Sequence, residues 1–254
     1  MPLILAPPPP PAADPGPAFA ISRSRVWPRR AFAAGRPLRI AFAFRATAPA
    51  ELTVAVRRRG RAVRSWRLPA APPSVTLRLA WRGITSRGKI ARDGRYRVVV
   101  TPAGGRPVQI GGFVLRGHAY PVRGPHGFRG AIGRFGAPRS GGRTHEGFDV
   151  NAACGTPVVA ARAGTVRVSD YDPVLYGHRV IVRARGERRG YWFTHLRSPS
   201  PLRAGDRVAT GGRIGRIGAT GNAVTVGCHL HFELRGRGGP LDPEPELRLW
   251  DRWS

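Results

Sequence analysis

Short runs in which large apolar residues occupy every second position constrain the fold of this chain most strongly. Ile40, Phe42 and Phe44 alternate with smaller or charged residues, as a half-buried strand requires. Comparable runs at 51–58, 74–81, 95–101 and 108–115 are separated by turns that contain glycine or proline. Several short strands at this spacing predict a small β-sandwich over residues 17–116.

The second half of the chain is also rich in short runs. They lie at 156–161, 165–169, 178–183, 191–196, 213–217 and 225–234, and no helix candidate of substantial length accompanies them. We therefore predict an all-β chain with an antiparallel β domain over residues 131–250. A glycine- and proline-rich connector is predicted over 117–130, and a proline-rich leader over 1–16.

The run CHLHFEL, residues 228–234, carries the strongest chemical signal. Residues two apart on a strand face the same side, so His229, His231 and Glu233 share one face. The other face holds the apolar Leu230, Phe232 and Leu234. Two imidazoles beside such an apolar face indicate a metal site or a catalytic pair.

Two further clusters supply the remaining groups. His145 and Asp149 are four residues apart around Gly147, and His195 ends the run YWFTH. Two histidines and one aspartate give three ligands and leave a fourth zinc position for water, the pattern of a catalytic site. Zinc would then supply activated water, and two histidines would remain for proton transfer and for the oxyanion. Spacing alone leaves open which histidines bind the metal.

Residues 133–247 resemble the LytM/lysostaphin-type zinc metallopeptidases. The resemblance rests on the three clusters in order and on the phrases RFGAPR, GTPVVA, AGDRV and GATGN. It implies an antiparallel β catalytic domain and a peptidoglycan endopeptidase with one Zn²⁺ per chain. The implied ligands are His145, Asp149 and His231, and the implied catalytic pair is His195 and His229. Glu146 and Glu233 then take ion-pairing or structural roles.

The same family includes an alternative function. A non-catalytic relative would bind peptidoglycan or activate another hydrolase, and such relatives typically lack one or more ligands. No ligand position is missing in this sequence. Zinc content after gentle purification discriminates between the two functions.

In the first half, the stretch from Trp81 to Val98 resembles bacterial immunoglobulin-like modules of the kind found in the flagellar hook-cap protein. The resemblance covers one hairpin, in which Asp93, Gly94 and Tyr96 are the most characteristic residues. It implies an immunoglobulin-like β-sandwich. No catalytic cluster is present in this part of the sequence.

The two cysteines, Cys154 and Cys228, flank the proposed site. Exported family members often carry cysteines at these places, which implies a disulfide between them. Two buried free thiols are the alternative. A disulfide favours a secreted or envelope protein, because disulfides persist in oxidising compartments.

The net charge of +29 arises from 43 basic against 14 acidic residues, and Lys89 is the only lysine. A GC-rich genome, which favours arginine codons, is one explanation of this charge, and a polyanionic partner is the alternative. The basic residues are spread along the chain without a nucleic-acid motif. We therefore expect peptidoglycan as the partner, allow anionic cell-wall polymers and expect no specific nucleic acid.

The first six residues, MPLILA, are apolar but too short for a secretory signal, so we predict that they end a signal beginning upstream. No apolar run reaches the ~20 residues of a transmembrane helix. We expect an extracellular or envelope-located monomer.

Overall fold

The structure is a computed structural model that describes residues 19–254. The leader predicted at 1–16 lies outside the described residues. None of the helices in the described part is long and apolar enough to cross a lipid bilayer.

Residues 19–116 form eight strands in two sheets. They are β1 (Ala20–Trp27), β2 (Arg30–Phe32), β3 (Leu38–Arg45), β4 (Ala50–Arg58), β5 (Arg61–Ala71), β6 (Leu77–Trp81), β7 (Gly94–Pro102) and β8 (Val108–Arg116). One sheet has the order β1-β3-β6 and the other the order β2-β8-β7-β4-β5. Neighbouring strands are antiparallel, except that β2 and β8 are parallel.

Period-two alternation explains the core of these sheets. Phe42 and Phe44 of β3 share one buried apolar cluster with Val54 of β4 and Val98 of β7. The five strands predicted here are confirmed, with ends that move by up to three residues. Strands β1, β2 and β5 were not predicted. All three lie at sheet edges, the side chains of β1 and β5 are largely half-buried or exposed, and β2 has only three residues. The immunoglobulin-like assignment stays a prediction.

The rest of the chain forms ten strands and one short α-helix. They are β9 (His126–Phe128), β10 (Phe148–Ala152), β11 (Pro157–Val159), β12 (Gly164–Asp172), β13 (Gly177–Ala184), β14 (Gly190–Leu196), β15 (Arg207–Val208), β16 (Arg213–Arg216), β17 (His229–Gly236), β18 (Gly239–Leu241) and α1 (Glu244–Asp251). The main sheet has the order β15-β12-β13-β14-β17-β10-β9, with β18 beside β17, and β11 pairs with β16. These strand pairs are all antiparallel, which confirms the all-β fold class.

The predicted strand at 225–234 is wrong at its beginning. Residues Gly221–Thr225 form a 3₁₀ turn, and β17 starts only at His229. Gly227 has a φ of +89°, a left-handed conformation that interrupts an extended strand. The polar and apolar faces nevertheless divide as expected, because all residues that carry that alternation lie within β17.

The two sets of sheets touch each other. The Thr210 hydroxyl donates a hydrogen bond to the Ala33 carbonyl at 2.7 Å, and the Arg116 guanidinium lies 4.3 Å from the centre of the Trp253 ring. Within the predicted connector, Tyr120 and Val122 are buried in the core of the main C-terminal sheet. This core therefore takes in side chains from well before residue 131.

Candidate metal centre

The register of β10 against β17 builds the centre of the site. Asp149 lies directly opposite His231, and Asn151 lies opposite His229. Leu230 and Phe232 are fully buried in the apolar core. The alternation along β17 therefore separates a polar face, which carries the histidines, from the core face.

A tight loop before β10 positions His145. Its backbone N–H donates to the Ala137 carbonyl at 2.8 Å, and its Nδ1 lies 2.8 Å from the Arg134 carbonyl. Gly147 permits the close approach of the loop to β17. A Cβ at this position would lie 2.8 Å from Nε2 of His231 and 2.6 Å from the Phe232 carbonyl oxygen. Any larger residue would displace the loop or the imidazole.

Three ligand atoms converge as a result. Nε2 of His145 lies 2.7 Å from Nδ1 of His231 and 3.0 Å from Oδ1 of Asp149, and the third side of the triangle is 3.1 Å. The three residues are at most 7% exposed. Among the described residues, these three side chains form a group whose ligand atoms lie close enough together to hold one metal ion.

The donor set fits zinc. Tetrahedral zinc at ~2.0–2.1 Å from each ligand keeps the ligand atoms about 3.3 Å apart, close to the triangle found here. The ring nitrogens that point away from the triangle are also held. Nδ1 of His145 donates to the Arg134 carbonyl, and Nε2 of His231 lies 2.9 Å from Oε1 of Glu233. Such partners fix the tautomer and orientation of metal-binding histidines.

The charges around the three ligand atoms favour one bound proton, which His231 carries. Burial disfavours the charged forms, but the His145 and His231 hydrogen bonds outweigh it and hold the pKa of the Asp149 carboxyl well below its usual range. Burial likewise disfavours protonated His231, yet Asp149 and Glu233 outweigh it and raise its pKa to about 9. A bound cation would replace this proton.

His195 and His229 lie beside the triangle and not in it. Their ring centres are 4.8 Å apart, and Nε2 of His229 is 3.8 Å from Oδ1 of Asp149. Nδ1 of His195 lies 2.8 Å from the Thr220 carbonyl, and Nδ1 of His229 lies 2.9 Å from the Gly227 carbonyl. A carbonyl only accepts, so Nδ1 of His195 carries the hydrogen and its Nε2 carries a lone pair. Nδ1 of His229 also lies 3.2 Å from the Arg129 guanidinium, which only donates, and the shorter contact with the Gly227 carbonyl assigns the hydrogen to Nδ1 there as well.

Both of these histidines are neutral at pH 7. Burial, assisted by the neighbouring His231 and His229, lowers the pKa of His195 to about 3. Burial also lowers the pKa of His229, and the Arg129 guanidinium, 3.2 Å from Nδ1, acts in the same direction. Two neutral imidazoles with free Nε2 lone pairs are able to accept protons.

The β14 end holds His195 in a left-handed conformation, with a φ of +57°. Its N–H donates to the Tyr176 carbonyl at 2.8 Å, and its own carbonyl accepts from the Gly218 N–H at 3.0 Å. A non-glycine residue in this region is uncommon, and surrounding contacts must maintain it. The local backbone therefore fixes the direction in which the imidazole points.

A chain of ion pairs supports His231. Glu233, which is fully buried, accepts from Arg235 at 2.6 Å as well as from His231, and Arg235 also pairs with Glu146. The Arg235 guanidinium stacks 4.2 Å from the centre of the Trp192 ring. Glu146 and Glu233 thus make the ion pairs expected of them. Arg235 was missed, although its position two residues after Glu233 places it on the same face.

An open cleft of about 700 Å³ lies over these groups. Arg139 lines it, with Nη2 3.7 Å from Oδ2 of Asp149, and is fixed by hydrogen bonds to the Ile132 and Pro138 carbonyls. This guanidinium faces the aspartate oxygen that points away from the triangle. No role was predicted for Arg139, because only the folded loop brings it beside Asp149.

The structure joins Cys154 and Cys228 in a disulfide across a sequence separation of 74 residues. Cys154 follows β10 and Cys228 directly precedes β17. The bridge therefore links the two strands that carry Asp149 and His231.

Two histidines of the predicted connector, His118 and His126, are largely buried. The His118 side chain is 16% exposed, stacks on Trp250 and lies 3.2 Å from Glu187. His126 lies 3.1 Å from Asp251. The connector that carries both residues packs against the sheet, which isolated loop histidines in a sequence do not reveal.

Comparisons with known proteins agree with this chemistry. Residues 143–243 match the model of Peptidase family M23. A lipoprotein NlpD/LppB homolog of Pseudomonas aeruginosa is 34% identical over 142 residues, which are 56% of this chain and 43% of the relative. The L-Ala--D-Glu endopeptidase of Bacillus subtilis is 30% identical over 152 residues, covering 54% of this chain and 45% of the relative. The chain thus spans less than half the length of either relative.

Among solved structures, the catalytic domain of the antimicrobial peptidase lysostaphin from Staphylococcus simulans matches with 27% identity and a TM-score of 0.42. The match covers 49% of this chain and 92% of that domain.

Proposed function

We propose that this chain, whose residues 143–243 match the model of Peptidase family M23, is a zinc-dependent endopeptidase that cuts the stem or cross-bridge peptides of peptidoglycan. The convergence of His145, Asp149 and His231 beside two neutral histidines in an open cleft carries the proposal. The relative from B. subtilis, named an L-Ala--D-Glu endopeptidase, supports this substrate class.

In this proposal Nε2 of His145, Nδ1 of His231 and Oδ1 of Asp149 hold the ion. Zinc, when bound, polarises a carbonyl group and lowers the pKa of a water molecule to about 7. Arg139 keeps the second oxygen of Asp149 turned away from the ligand position. Glu233 holds the outer nitrogen of His231, so that Nδ1 stays directed at the ion.

His195 and His229 are the proposed catalytic pair. Either Nε2 lone pair is available to accept the proton released by the attacking water, because neither ring carries a second proton at pH 7. The protonated ring then becomes a donor at Nε2 to the carbonyl oxygen or to the leaving nitrogen. The carbonyls of Thr220 and Gly227 stabilise the imidazolium through Nδ1.

We further propose that the chain works as a monomer in the cell envelope or outside the cell, where the Cys154–Cys228 disulfide persists. Residues 131–250 supply the peptidase site in this scheme, 117–130 connect it, and 17–116 form an accessory sandwich.

The decisive experiment compares Asp149→Ala with Asp206→Ala, an exposed aspartate in a distant turn. We expect Asp149→Ala to lose both zinc, measured by elemental analysis, and release of muropeptides from purified peptidoglycan, measured by mass spectrometry. Asp206→Ala should retain both. Full hydrolysis by Asp149→Ala would overturn the assignment. A zinc content near zero in the gently purified, unmodified protein, together with no hydrolysis, would instead support a non-catalytic, wall-binding function.

A further inference from the structure

The positive charge of the chain is concentrated in its first half. Residues 19–116 contain 22 of the 43 arginine and lysine residues and only 2 of the 14 acidic residues, Glu51 and Asp93. Within this part, the structure has one ion pair, between Glu51 and Arg67 at 3.6 Å. A GC-rich genome explains why the cations are arginine, but it does not explain the near absence of acids, since both acids have GC-rich codons.

Five of these arginines line one cleft of about 990 Å³ on the outer face of the β2-β8-β7-β4-β5 sheet. They are Arg29, Arg57, Arg59, Arg95 and Arg97. The described residues that line the cleft include no acid. The cleft therefore gathers five arginine side chains with no acidic side chain among them.

The strand register places two of the arginines in direct opposition. Arg57 of β4 and Arg97 of β7 are cross-strand partners, and Arg95 lies two residues from Arg97 on the same face. Like charges directly opposite each other destabilise a sheet. An anion between them would convert this repulsion into charge-assisted hydrogen bonds, because guanidinium groups bind phosphate oxygens in pairs. The Arg57 side chain is already oriented by its hydrogen bond to the Gly60 carbonyl at 2.9 Å.

We propose that this cleft is a binding site for a phosphodiester-linked cell-wall polymer, which would hold the enzyme on its substrate. The choice of a wall polymer rests on the proposed function, whereas the presence of an anion-binding site does not. The cleft offers no platform for nucleic-acid bases, because its aromatic residues Tyr96 and Phe113 are only 2% and 5% exposed. A polymer whose charges alternate with sugar or polyol units needs no such platform.

The test measures binding of the full chain to soluble poly(glycerol phosphate) by fluorescence anisotropy. The cleft variant Arg57→Gln/Arg95→Gln/Arg97→Gln is compared with Arg23→Gln/Arg39→Gln/Arg78→Gln, three exposed arginines of the opposite sheet. Both variants lower the net charge by the same amount. We expect the cleft variant to bind at least about tenfold more weakly, and the control variant to change by less than about threefold.

Equal weakening in both variants would overturn the proposal, because it would show diffuse attraction by net charge. Tighter binding of a DNA duplex than of poly(glycerol phosphate) would also overturn it in favour of a nucleic acid. If the triple variant does not fold, Arg97→Gln alone is measured against Arg78→Gln. Hydrolysis of polymer-free peptidoglycan is followed separately. We expect both triple variants to retain it, so a failure of the proposed peptidase activity remains distinguishable from a failure of polymer binding.

Discussion

Removal of the Cys154–Cys228 disulfide should destabilise the main C-terminal sheet but leave the metal centre assembled. In the chain-entropy model, a bridge spanning 74 residues removes about 15 cal/mol/K from the unfolded chain, or about 4.4 kcal/mol at 25 °C. In the folded state the pairing of β10 with β17, and of β17 with β14, holds Asp149 and His231 in place without the bridge. Stability and metal affinity should therefore respond differently to the same change.

The double variant Cys154→Ala/Cys228→Ala provides the test. Amide hydrogen exchange in β10 and β17 should accelerate roughly a thousandfold, because every 1.4 kcal/mol corresponds to a factor of ten. Zinc affinity, measured by competition with a chelator under native conditions, should stay within about threefold of the unmodified protein. A destabilisation below about 1 kcal/mol would refute the entropic reasoning. A folded variant that no longer binds zinc would refute the role given to strand register.

Three further predictions concern the site. Zinc must displace the proton of His231, because the pKa of this imidazole is raised to about 9. The apparent zinc affinity should therefore rise about tenfold per pH unit from pH 7 to 8.5. A zinc affinity that does not change with pH in chelator competition would contradict this. Glu233→Gln should weaken zinc binding about 10- to 100-fold, whereas Glu146→Gln, which alters only the far side of Arg235, should have little effect in the same assay. His195→Asn should lower kcat about 10²- to 10⁴-fold on muropeptide substrates with zinc content unchanged; loss of zinc would identify His195 as a ligand.

Much of the fold followed from period-two alternation, because a strand with one buried face records that face in its sequence. The runs that became β4 and β7 have this property, whereas the run that became β3 alternates in side-chain size although Ala41 and Ala43 are buried as well. The short strand β10 was missed, since its five residues FDVNA alternate weakly. It is nevertheless the strand that carries Asp149. The helix α1 was missed for a related reason, because only Leu247 and Trp250 of its eight residues are buried.

The candidate site, too, was predicted only in part from the residues themselves. Residue types and strand alternation identified the histidines and the aspartate, while the choice of His231 over His229 came from family resemblance. The structure now gives that choice a physical reason. Asp149 lies directly opposite His231, whereas His229 lies opposite Asn151 and directs Nδ1 to the Gly227 carbonyl. Such pairings join residues about 80 positions apart, and single-sequence patterns do not report them.

The pairing of β10 with β17 also restricts how this protein can diverge. Insertion or deletion of one residue within either strand would exchange its two faces, turning Asp149 or His231 into the apolar core and Phe232 into the cleft. Length changes should therefore be tolerated only outside the strands. Descendants of this protein are expected to lose or retune activity by substituting single residues at a fixed strand length.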